Sequence, residues 1–126
     1  MKLLTNDIHD RLLMNGHIRA QLAEKACPGE GRGRARPDFL PVVKLFTPDA
    51  QCTWLLSELD PDCPDLAFGL CDLGMGCPEL GTVLISELES VRGQLGLPVE
   101  RDRHFVPKQT ISAYAAEART RGYIDA

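Results

Sequence analysis

Residues 42–85 read VVKLFTPDAQCTWLLSELDPDCPDLAFGLCDLGMGCPELGTVLI, and the punctuation of that stretch decides the fold. Four apolar runs, 42–46, 52–59, 66–73 and 81–85, are separated by Thr47-Pro48-Asp49-Ala50, by Asp60-Pro61-Asp62-Cys63-Pro64-Asp65 and by Gly74-Met75-Gly76-Cys77-Pro78. Proline removes a ladder donor, and Asp and Gly favour turn geometry, so each separator ends a strand. In the second run Trp54, Leu56 and Glu58 alternate with Thr53, Leu55, Ser57 and Leu59, which is the period of a strand. Connections this short join only antiparallel neighbours, because a parallel crossover takes a dozen residues or more. The stretch reads as an antiparallel meander.

Helices are expected on both sides of it. Thr5 or Asn6 can cap a helix with Asp7 in its first turn, and Ile8, Leu12, Ile18, Leu22 and Ala26 recur near helical spacing through Lys25. Gly16 predicts a bend or break in that helix. After the meander, Ser86-Glu87-Leu88-Glu89 has the form of a capping box opening a short helix that stops at Gly93. Val99 to Val106 reads as a fifth strand, with Glu100, Asp102 and His104 on one side and Arg101, Arg103 and Phe105 on the other. Thr110 or Ser112 opens a last helix that ends at Gly122. The fold class is therefore α+β, a meander of four to five strands whose one face is covered by the N-terminal and C-terminal helices and whose other face meets water.

The 126 residues make one domain, long enough to bury roughly two-thirds of the unfolded surface. With 44% apolar and 25% charged residues the composition excludes collagen-like, disordered and disulfide-scaffold classes. No apolar run spans a bilayer, and Met1-Lys2-Leu3-Leu4-Thr5-Asn6-Asp7 turns polar too soon for a signal-peptide core, which points to the cytoplasm and no membrane partner. Five cysteines, an odd number, read as free thiols in such a reducing compartment.

Charge is segregated. An acidic sheet region, residues 45–91, holds nine of the eighteen acids and none of the fourteen Lys and Arg, so it sums to −9 against +5 for the flanks and −4 in all. Residues 27–41, CPGEGRGRARPDFLP, form a basic loop carrying Arg32, Arg34 and Arg36. Such asymmetry reflects either mutual docking or a polar binding face.

Most catalytic chemistries lack their motif. The cysteines show no C-x-x-C pair, leaving only a composite of Cys71, Cys77 and His104 as a conceivable zinc set, so no metal and no cofactor is expected. No G-x-S-x-G elbow is present, and Gly29, Gly31 and Gly33 precede no phosphate-binding helix. The remaining catalytic candidates are His104 with Asp102, which share a strand face, and Glu58, which pairs with Asp60 as two carboxylates. They would serve a small hydrolase or transferase. Nucleic acid is not an expected direct ligand, because the three loop arginines are the one dense basic cluster in a chain of pI about 5.3.

Val42–Asp49, Thr53–Asp60, Ala67–Gly74, Ser86–Glu89 and Gly96–Asp102, taken in that order, resemble the bacterial domain of unknown function 2958. The likeness runs from Leu3 to about Tyr114. It implies a small intracellular protein of plasmids and integrative elements, and it contributes no catalytic residues. The basic insertion from Gly31 to Arg36 departs from the common pattern. With that setting, the leading expectation is an accessory protein whose partner is another protein, met through acidic loops carrying Asp60, Asp62, Asp65, Asp72 and Glu79. An alternative is an anti-defence inhibitor that presents its acids as a mimic of DNA charge.

Overall fold

Strand pairing in the computed structural model, which describes residues 3–24 and 37–126, follows the meander. Strands β1 (Val43–Phe46), β2 (Thr53–Asp60), β3 (Cys63–Asp72) and β4 (Glu79–Leu84) pair antiparallel with their chain neighbours. The chain then forms helix α2 (Ile85–Ser90), crosses to the far edge and adds β5 (Glu100–Arg101) antiparallel to β1. The sheet order is β4-β3-β2-β1-β5. Helix α1 (Asn6–Glu24) precedes the sheet and α3 (Ile111–Arg121) follows it. Asp49, in the β1–β2 turn, accepts the backbone N–H groups of Leu95 and Leu97 and so ties down the crossing loop.

The helices do not share a face. Leu3, Leu4 and Leu12 pack with Val43, Leu45, Trp54, Leu56, Leu59 and Ala67, whereas Ile111, Tyr114, Ala115 and Ala118 pack with Leu55 and Leu70. The expectation of one wetted face is thereby corrected: α1 and α3 sandwich the sheet. The reason is visible in β2, where apolar side chains of both parities, Trp54, Leu55 and Leu56, are buried, as a strand covered on two sides requires. Each fully buried leucine contributes on the order of 2 kcal/mol.

A register shift between Leu56 and Glu58 breaks the strict alternation, so Leu59 joins Trp54 and Leu56 in the α1-side core. An extra residue in one strand reverses the phase beyond it. A second shift, between Leu59 and Asp60, lets β3 begin at Cys63 rather than Leu66, and exposed Pro64 sits where pairing is irregular and no donor is needed.

Three local expectations are also corrected. Helix α1 runs unbroken through Gly16, because that glycine serves close approach: a Cβ there would overlap the carbonyl oxygen of Leu59. Ile18 and Leu22 are exposed on α1 instead of buried, while Leu12 carries the contact. The strand expected over 99–106 shrinks to Glu100–Arg101, since the carboxylate of Asp102 accepts the His104 backbone N–H and turns the chain.

Thr5 does cap α1, its hydroxyl accepting from the Ile8 N–H. The other two helices are capped from a distance. Asp65 on β3 accepts both the N–H and the hydroxyl of Ser86 in α2, replacing the expected capping box. Asp38 does the same for Ser112 in α3. Helix α3 ends at Gly122 in the left-handed conformation, as its sequence predicts.

Candidate functional site

The catalytic candidates do not meet. Asp102 places one carboxylate oxygen 2.9 Å from the His104 backbone nitrogen and the other 3.7 Å from Lys44 Nζ, so it holds a turn rather than the imidazole. Glu58 lies towards the opposite end of β2 from Thr53, which lines the His104 cleft, about 17 Å away along a strand of ordinary rise. It is buried, and Arg19 of α1 donates through Nε to its Oε2 at 3.1 Å. Buried in that ion pair, its carboxylate closes α1 onto the sheet. Asp60, its expected carboxylate partner, accepts the Asp62 N–H at 2.8 Å and stays at the turn.

The acidic set divides in the same way. Asp60 and Asp65 stabilise the β2–β3 hairpin and α2, and Asp72, buried, accepts the N–H groups of Gly74 and Ile124. Asp62 and Glu79 are exposed. The segments 60–65 and 72–79 sit towards opposite ends of β3, with Asp65 and Asp72 about 23 Å apart at ordinary strand rise, so they are not one surface. Of the nine acids in 45–91, Asp62, Glu79, Glu87 and Glu89 remain exposed without a side-chain partner among the described residues.

At the 72–79 end a different feature appears. Leu73, Met75 and Tyr123 are 55%, 73% and 51% exposed. Asp72 binds the Ile124 N–H at 3.1 Å, and a Cβ added to Gly122 would just reach the carbonyl of Gly76, which places the C-terminal tail beside the glycine loop. Gly74 and Gly76 adopt positive φ, so the loop turns tightly. Between loop and tail lies a cleft of about 450 Å³, reaching Gln51, Thr53 and Tyr123. Sequence reasoning placed acids here and left Leu73 and Met75 unremarked, although large apolar residues beside turn glycines are poorly placed for a core.

A larger cleft, about 600 Å³, opens where β1, β2 and β5 meet the turn after β5, and Phe46, Gln51, Arg103 and His104 are among its walls. Among the described residues four thiols are free: Cys63 and Cys77 are exposed, and burial pushes the Cys71 thiol up from its ordinary range. No group of three or more His, Cys, Asp and Glu side chains converges as a metal site among the described residues.

A family model for proteins of unknown function, DUF2958, matches residues 3–125. The chain belongs to this family. No curated protein and no solved structure matches it. For this DUF2958 protein the basic-loop residues Arg32, Arg34 and Arg36 lie outside the described residues. No described helix is long and apolar enough to cross a membrane.

Proposed function

We propose that this DUF2958 protein is a protein-binding accessory factor of a bacterial mobile element, and that it meets its partner at the 72–79 loop and the adjoining C-terminal tail. One observation carries the reading: Leu73 and Met75 stand in water on the loop whose Gly74 and Gly76 line a cleft with exposed Tyr123. Large apolar side chains on one loop and the tail beside it are costly to leave wet and mark interaction sites. They supply anchors that acids alone do not, because affinity concentrates in buried apolar and aromatic contacts while exposed charge steers the encounter. Glu79 at the head of β4 adds negative charge, so the partner is a segment with aliphatic or aromatic anchors flanked by Lys or Arg.

Selection from a displayed peptide library tests this. Peptides combining apolar anchors with basic residues should be enriched, and Met75→Asp should abolish their binding while Glu79→Lys weakens it. Enrichment that survives Met75→Asp, or none at all, would overturn the reading.

A further inference from the structure

The cleft beside His104 adjoins the proposed protein-binding cleft, sharing Gln51 and Thr53 with it, yet its chemistry differs. Its volume of about 600 Å³ lies within the range of small-molecule sites.

Four of the polar side chains that line this cleft are already committed. Thr47 bonds Cys52, and Lys44 donates to the carbonyl of Ala126 and faces Asp102. Asp102 receives the His104 N–H, and Arg101 donates to the carbonyl of Leu3. Of the other polar side chains that line it, Gln51, Thr53, Glu100, Arg103 and His104 have no side-chain partner among the described residues. Phe46 joins them; it is half-buried and belongs to neither core cluster. The uncommitted side chains of this concavity thus comprise two phosphate-binding types, a carboxylate, an amide, a hydroxyl and an aromatic ring.

We propose that this cleft binds a mononucleotide. Arg103 and His104 take the phosphate, since guanidinium and imidazole donate charge-assisted hydrogen bonds to its oxygens. Glu100 accepts from the ribose hydroxyls, a role carboxylates fill in other nucleotide sites. The base lies on Phe46, whose face offers stacking to any base, with Gln51 available to its polar edge. Asp102 shapes the site indirectly, because its carboxylate fixes the turn that carries Arg103 and His104.

Calorimetric titration of the full chain with adenosine and guanosine monophosphates, adenosine alone and inorganic phosphate tests this, with circular dichroism confirming that each variant is folded. A nucleoside monophosphate should bind more tightly than either adenosine or phosphate. Arg103→Ala should weaken it about tenfold, the worth of one charge-assisted hydrogen bond. Phe46→Leu should weaken nucleotide binding while leaving phosphate binding unchanged. Absence of nucleotide binding at millimolar concentration would overturn the proposal. So would phosphate binding as tight as the nucleotide's and indifferent to Phe46→Leu, which would mark an anion site only. Because these titrations contain no peptide, their failure leaves the protein-binding reading standing, and failure of the peptide selection leaves this one standing.

Discussion

Gly16 of α1 and Leu59 of β2 touch backbone to backbone: a methyl group on Gly16 would overlap the Leu59 carbonyl oxygen. Helix and sheet are therefore as close here as their main chains allow. Alanine favours a helix over glycine by about 1 kcal/mol, so an isolated α1 would gain from Gly16→Ala. In the folded protein the overlap should outweigh that gain and cost about 2–4 kcal/mol net. Urea unfolding measures the balance, and a variant as stable as the parent would show that α1 can lift away cheaply.

Arg19 and Glu58 set a second test. With the guanidinium gone, the Glu58 carboxylate remains buried without its α1 partner, so Arg19→Met should cost about 2–4 kcal/mol. Adding Glu58→Leu to Arg19→Met should restore part of the loss, because an apolar pair needs no compensating charge. A double variant no more stable than Arg19→Met would contradict this account of the pair.

Asp38 and Asp65 cap helices that lie far from them in sequence. Replacing either with Ala should cost about 1 kcal/mol, the usual worth of an N-terminal cap. The Ser112 hydroxyl, with help from its N–H, holds the Asp38 carboxyl below its ordinary value of 3.8, against a smaller opposing effect of burial. A carboxyl depressed in the fold stabilises it fully above that ordinary value and loses the contribution as pH falls through the folded one. The difference in melting temperature between the parent and Asp38→Asn should accordingly be constant near neutrality and shrink only in acid below the carboxylate range. A difference that vanished by pH 6 would mean another group is responsible.

Thiol chemistry reports on the sheet. Cys63 and Cys77 are exposed, whereas Cys71 lies in β3 packed against the α1-side core, where burial raises its pKa and starves it of thiolate. Iodoacetamide at neutral pH should modify Cys63 and Cys77 first and reach Cys71 more than about tenfold more slowly, accelerating only as urea opens the fold. Mass spectrometry of timed digests resolves the order.

Local signals carried much of this architecture. Turns 47–50 and 74–78 were legible, and so was a reversal within 60–65, though it shrinks to Pro61-Asp62, because proline, aspartate and glycine restrict the backbone whatever surrounds them; the helix stop at Gly122 was legible for the same reason. Bulges were not, since the shift at Ser57 depends on how β2 meets β3, and neither strand alone encodes it. The candidate site was less legible still. Asp65 and Asp72 looked like surface acids until folding brought Ser86 and Ile124 to them.

From its sequence alone this protein has four antiparallel strands between helices, because short turns and apolar periodicity are properties of neighbouring residues. Tertiary structure alone decided that α1 and α3 take opposite faces, that Gly16 is a contact and not a kink, and which charges are spent inside the molecule. Those outcomes depend on meetings between segments dozens of residues apart, where burial and hydrogen bonding, rather than local propensity, choose each side chain's role.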